Sequence, residues 1–348
     1  AEYGADVIKI DSTIRNPVKW HNEANRCKRS ILLNLQTAEG LDVFWRLVDT
    51  ADVILQNFRK GVTDRLGIGY EAVKARRPDI VYASMNVYGQ SGPFAERPGH
   101  DTIAQASTGI QDLYGGREPA SLPFAVNDYG TGLMGCYGVA LALLHRSRTG
   151  KGQHIDSALS YTATMLQSGM LQEYQGRQWT EPGGQDALGH SPLYRMYEAA
   201  DGWLFLAAGH GRRLADCPDL ADLSALEDEA LERALETRIK TGPVDTWVRC
   251  LTDAGLGAQR VVPTIEELMN DNSVRSRGLS VTRQHDAVGL VTTVGPAVRM
   301  SRTPLVLGRP APKPGSDAVS ILQDIGRAQD LERLIRAGAV ATDGIVPG

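Results

Sequence analysis

The chain has 348 residues, a formal net charge of -4, 42% hydrophobic residues and 22% charged residues. Those numbers describe a globular protein with room for one large or two medium domains. The mild acidity argues against a nucleic-acid or membrane-surface partner, and no apolar run approaches the roughly 20 residues that span a bilayer. The cysteines Cys27, Cys136, Cys217 and Cys250 are scattered and form no CxxC pair. The sequence therefore predicts neither a metal centre nor a disulfide, and a reducing cytoplasm is the simplest setting.

Taken in chain order, residues 5–10 (ADVIKI) and 30–35 (SILLNL) read as buried strands. Thr37 caps a helix through residue 51, with Leu41, Phe44, Leu47 and Val48 on one face. Residues 52–56 form a third strand, residues 70–77 a helix ended by Pro78, and residues 80–85 a fourth strand. Strand alternating with helix predicts a parallel, doubly wound sheet. Ligands of such sheets bind beyond the carboxyl ends of the strands, where Asn57 and Asn86 stand. Residues 87–99 are loop-like, and a helix runs from His100-Asp101 to Ser107. Residues 153–156 read as a strand, 158–172 as a helix and 178–190 as a polar, glycine-bearing loop. A strand at 203–208, an acidic helical region at 220–237 and helices at 244–254 and 265–270 come next. Two short β runs, 279–283 and 290–294, precede a closing helix pair at 318–325 and 328–337. Changes of style near Gln178 and Pro304 predict a large domain over residues 1–180, a small domain over 181–303 and a return to the large one over 304–348.

The stretch 124–153 carries the chemistry. Asp128 is followed by Gly130, Gly132 and Gly135, an apolar run over 137–144, and the cations His145, Arg146, Arg148 and Lys151. Acid first and base last suits a helix macrodipole, with Asp128 as N-cap. The glycines let a backbone or a ligand come close to the first turn. Residues 130–135 also spell GxGxxG, but no strand leads directly into them, so a dinucleotide fingerprint is rejected. Asp128 alone would be a helix cap, and His100 alone a surface histidine. Arg26, Lys28 and Arg29 read equally as a solvated turn or a phosphate clamp.

Together these pieces resemble a known family. The runs GADVIKID, NRCKRSILLNL, ADVILQNFRKGVTDRLGIGYEAVKARRPDIVYASMNVYGQSGPFAERPGHDTIAQASTG and NDYGTG…RTGKGQHID look like the class III CoA-transferases, as do VPTIEELMNDNSVRSRG and VGPAVRMSRTP. The resemblance implies an α/β protein: a Rossmann-like large domain, a smaller α+β domain and an interlocked homodimer. It implies no tightly bound cofactor. Coenzyme A thioester is the substrate, and the partners are an acyl-CoA and a carboxylic acid acceptor. Asp128 matches the catalytic aspartate and Asp101 an acidic residue that organises the site. Leu33, Asn57, Phe58 and Arg65 match positions that contact CoA, and Gly183-Gly184-Gln185 lies near a loop that some members carry over the aspartate. Ser12 and Gln36 stand where relatives can carry cations. A first strand and loop that help line the CoA site in relatives are absent from this sequence.

The reaction so implied is exchange of CoA through a carboxylate nucleophile. Asp128 attacks the thioester carbonyl to give a mixed anhydride, and CoA thiolate returns to form an aspartyl-CoA thioester. Backbone N–H groups near residues 130–132 are the expected oxyanion donors. The carboxylate must lie beside a cavity and out of open solvent, because the anhydride hydrolyses. The family also contains α-methylacyl-CoA racemases, and His100 stands where those carry their acid–base histidine. Proton abstraction by His100 and Asp128 is thus the alternative, and a non-catalytic CoA-binding half of a fusion protein is a third reading.

Overall fold

Four strands expected early in the chain form as β1 (Ile8–Asp11), β2 (Arg29–Leu33), β3 (Val53–Gln56) and β4 (Val81–Asn86), with β5 (Gln153–Ala158) later. They belong to a computed structural model that describes residues 1–14, 23–178, 183–208, 214–305 and 308–342. The helices named below are α1 (Ala38–Thr50), α2 (Val62–Arg65), α3 (Tyr70–Arg76), α4 (Asp101–Ser107), α5 (Ile110–Gly115), α6 (Val126–Thr149) and α7 (Leu159–Leu166). Contacts group the chain into two units. The first holds Ala1–Pro98, Thr131–Ala158 and Ile265–Gly348, and the second Gly99–Gly130 and Leu159–Thr264. These groupings differ from the segments 1–180, 181–303 and 304–348 drawn from the sequence.

In the first unit β1 and β2 pair in parallel, and the short strand Val340–Ala341 adds antiparallel to β2. β3, β4 and β5 form a second parallel set in that order. The expected strands are present, but as two three-stranded sheets, with no β1–β3 pairing among the described residues. α1 starts as the sequence predicts, with Thr37 Oγ1 accepting the Gly40 N–H at 3.1 Å. Its helical spacing then serves two cores. Val43 and Leu47 pack with Ile31, Leu33, Ile321 and Leu334, while Phe44 and Val48 pack with Ile68, Val73, Ile80 and Tyr82. Each such side chain contributes about 1.5–3 kcal/mol on burial. Ile10 and Leu35 touch both cores.

The second unit is built on an antiparallel sheet of Gly189–Ser191, Tyr194–Ala199, Gly202–Ala207 and Gly257–Arg260. Leu204 and Leu206 point into its core, where they meet Leu235, Ile239, Trp247 and Leu251 from the helices Asp228–Ile239 and Val244–Asp253. Here the structure corrects the cysteine reading. Cys217 and Cys250, 33 residues apart, are joined in a disulfide within this core. Tertiary packing brings them together, which sequence spacing cannot reveal. Cys27 and Cys136 are free thiols.

Candidate active site

α6 begins at Val126, so Asp128 lies inside the first turn and is not its cap. The capping carboxylate is Asp101, from the start of α4. Its Oδ2 accepts the N–H groups of Asn127 at 2.7 Å and Asp128 at 2.9 Å. Its Oδ1 accepts from Gln105 Nε2 at 2.5 Å, and Gln105 Oε1 in turn accepts the Leu122 N–H at 3.0 Å. The i, i+4 spacing of Asp101 and Gln105 on α4 aligns the two side chains. A buried anion thus meets two of the orphan donors at the positive end of a 24-residue helix.

Asp128 and His100 are both exposed in the isolated chain, whereas Asp101 is buried. The structure therefore brings Asp101 and the Asp128 backbone together. It leaves Asp128 itself among the exposed residues. His100 precedes α4 without capping it through its side chain. The expected oxyanion donors are also corrected. Residues 130–132 lie within α6, where each N–H is directed at the carbonyl four residues back. Gly130 and Gly138 serve packing, whereas a Cβ on Gly132 would meet nothing within 4 Å. A Cβ on Gly130 would sit 2.6 Å from Thr162 Cγ2 of α7, and one on Gly138 would sit 3.2 Å from Ile155 Cγ2 of β5. Gly184, in the loop likened to a cover over the aspartate, donates its N–H to Leu113 O at 3.0 Å.

Sequence reasoning assigned no site role to Gln105 or Asn127, although both lie in stretches that resemble transferases. Gln105 carries a signal, its place four residues after Asp101. Asn127 is fully buried, and neither its Oδ1 nor its Nδ2 has a hydrogen-bond partner. An unmet buried amide is costly, and it stands one residue before the candidate nucleophile.

The CoA candidates belong to the first unit. Asn57 and Phe58 follow β3 directly, and both are exposed, as is Arg65 at the end of α2. Gly61 starts α2 with φ +82°, a left-handed conformation that favours glycine. Leu33 is not brought to the surface with them. It is 2% exposed, and its side chain belongs to the core around Val43 and Leu47. Asn86 is buried too, with Oδ1 accepting the Gly89 N–H at 2.6 Å. The basic cluster is engaged internally. Arg26 grips Glu2 at 2.8 and 3.0 Å, and Arg29 pairs with Asp6 and Asp324. Lys28 bonds Asn25 Oδ1, and burial pushes its ammonium pKa down.

The model of CoA-transferase family III matches residues 1–318, and the chain belongs to that family. Among its relatives, the succinate–glutarate CoA-transferase of Agrobacterium fabrum is 30% identical, with 93% of this chain and 90% of that protein covered. The alpha-methylacyl-CoA racemase of Mus musculus is 29% identical over 95% of this chain and 88% of its own. A crystal structure of a CAIB/BAIF family protein from Brucella suis aligns with a TM-score of 0.80 at 29% identity, covering 93% of each chain. The protein is thus a mixed α/β enzyme of the CoA-transferase class. Among the described residues no helix is long and apolar enough to cross a membrane.

Proposed function

We propose that the protein moves CoA between an acyl-CoA and a carboxylic acid, with Asp128 as the nucleophile. One oxygen of its carboxylate attacks the thioester carbon, the C–S bond breaks and CoA thiolate leaves a mixed anhydride. The thiolate attacks the aspartyl carbonyl, the anhydride C–O bond breaks and the first acid departs. An acceptor carboxylate then attacks the aspartyl-CoA carbonyl and the C–S bond breaks, giving a second anhydride. The thiolate attacks its acyl carbonyl, the C–O bond breaks, and the new acyl-CoA leaves with the Asp128 carboxylate restored. No proton changes hands. The observation that carries this reading is the match to CoA-transferase family III over residues 1–318, with the buried Asp101 carboxylate holding the N–H groups of Asn127 and Asp128 at the start of α6. Asn57, Phe58 and Arg65 are assigned to CoA. The relatives' names point to dicarboxylic acids such as succinate and glutarate as first substrates to try.

An exposed anhydride would hydrolyse, so transfer requires a surface over Asp128. A second copy of the chain fits that need. α6 turns its large apolar side chains Tyr129, Leu133, Tyr137, Leu141 and Leu144 outward, and Tyr161 and Met165 of α7 are exposed as well. Spacings of four, four, four and three residues make one stripe, the mark of an association face. The Cys217–Cys250 disulfide removes the ground for a reducing cytoplasm.

Racemisation remains the second reading, because His100 directly precedes Asp101 and is exposed. One experiment separates the two. Succinyl-CoA is incubated with labelled glutarate, and in parallel a branched acyl-CoA is incubated in deuterated water without acceptor. Transfer that vanishes in Asp128→Asn supports the proposal. Deuterium entering the α-carbon without any transfer sinks it.

A further inference from the structure

Gln56 ends β3, is buried and lies opposite Ser84 of β4 in the parallel register. Its side chain has a forced polarity. The Phe58 backbone N–H donates to Gln56 Oε1 at 2.6 Å, so the oxygen faces the loop and the amide nitrogen faces the sheet. Gln56 Nε2 then donates to Ser84 Oγ at 2.8 Å, which makes Ser84 an acceptor there. Ser84 is 2% exposed and its oxygen lies 2.9 Å from His154 Nε2 on β5. Ser84 Oγ keeps a second lone pair and its own proton, so the bond to Nε2 runs in either direction according to the His154 tautomer. The imidazole is held flat against Tyr70, centroids 4.9 Å apart and planes 17° apart. Three strands of the sheet are thereby tied, through one chain of hydrogen bonds, to a single amide in an exposed loop.

We propose that Gln56 is a positioning residue for coenzyme A: braced by Ser84 and His154, it fixes the turn that presents Asn57 and Phe58. This rests on the assignment of Asn57 and Phe58 to CoA. Gln56 itself is buried and need not touch the ligand. A loop ordered in advance loses less freedom when CoA binds, so the effect falls on affinity. The groups around His154 are Tyr70, Tyr82, Asp156 and Glu71, with Lys74 over the Tyr70 ring.

The test is CoA binding by calorimetry, together with nitrogen NMR of His154. Phe58→Ala, Gln56→Leu, Gln56→Glu and Ser84→Ala are compared with the parent protein. Gln56→Leu is expected to weaken CoA binding about tenfold, one buried hydrogen bond's worth, with the loss carried by KM and not by kcat. The carboxylate introduced by Gln56→Glu can still accept the Phe58 N–H, so this variant is expected to restore affinity to within about twofold. The same carboxylate accepts the Ser84 hydroxyl proton, so only an Nε2-protonated His154 can still bond Ser84 in this variant, and the His154 nitrogen signals report it. A residue that merely fills space would not move that signal. If Phe58→Ala weakens binding and Gln56→Leu does not, the positioning role is overturned while the CoA assignment stands. If Phe58→Ala has no effect, the assignment fails and this inference with it. Should Gln56→Leu melt too early to assay, Ser84→Ala replaces it, and unchanged affinity there overturns the proposal.

Discussion

Replacing Asp101 by asparagine keeps its shape and removes its charge. Asp101 is 5% exposed and accepts three hydrogen bonds: two backbone N–H groups of α6 and the Gln105 amide. If the new amide oxygen faces α6, its NH2 faces the NH2 of Gln105, donor against donor. Gln105 cannot turn over to relieve this, because its own NH2 would then face the Leu122 N–H. One buried donor stays unmet, at about 1–3 kcal/mol, and the two bonds to α6 lose their charge assistance. A total of roughly 3 kcal/mol lowers the melting temperature by about 6–12 °C for a unit of this size. Calorimetric melting at neutral pH measures it. The same geometry specifies a rescue. In Asp101→Asn with Gln105→Glu, the new carboxylate accepts from both the introduced amide and the Leu122 N–H, so at least half of the lost melting temperature returns. A single variant melting within about 2 °C of the parent, or a double variant no better than the single, would refute the cap.

Three further outcomes are expected, and a fourth concerns pH. Thiol titration of the unfolded, unreduced chain counts two free cysteines of four, Cys27 and Cys136, and reduction reveals the other two. Loss of the 33-residue cross-link in Cys217→Ala/Cys250→Ala lowers stability by about 4 kcal/mol, measured by denaturant unfolding. On the proposed self-association, Tyr137→Glu, at the centre of the exposed α6 stripe, is expected to shift light scattering from dimer to monomer. On the proposed mechanism, residual turnover of that variant is expected to become hydrolysis of acyl-CoA. Burial alone would raise the Asp317 carboxyl, but two Arg309 hydrogen bonds at 2.8 and 2.7 Å and the Ser30 N–H hold it below its ordinary value. A depressed carboxyl favours folding above the unfolded pKa of about 3.9, so its stabilisation fades as pH falls below that point, and Asp317→Asn flattens the acid limb of the stability curve.

The first 86 residues were legible because each apolar run belongs to one period. α1 shows its stripe, the strands are short and β-branched, and glycine or proline marks the turns. Strand Tyr194–Ala199 hid from the same reading. Its inward positions include Arg195, 6% exposed, which breaks the apolar alternation and is balanced by Glu232, Glu236 and the face of Tyr197. Nothing local announces those partners, since the two acids come from a helix some 40 residues later. The site divides the same way. α6 is evident from its charge order, but its cap arrives from α4, and a contact across the fold leaves no trace in spacing. The glycines after Asp128 invited a ligand-facing reading because close approach is all that glycine encodes; a neighbouring side chain answers that description as well as an oxyanion does.

The two-carboxylate arrangement has a chemical consequence for α6. A carboxylate that caps its own helix is bound to backbone amides, and those bonds stabilise the anion it must give up when it attacks. Were Asp128 the cap, every step towards an anhydride would begin by breaking them. Asp101 takes the amides of Asn127 and Asp128 instead. In the proposed reaction one acid meets the needs of the fold and the other those of the chemistry, with the first buried and the second exposed. On that proposal Asp101 and Asp128 are not interchangeable. Exchanging aspartate for asparagine at 101 is expected to strike stability first, and at 128 to strike turnover while the helix start keeps its cap.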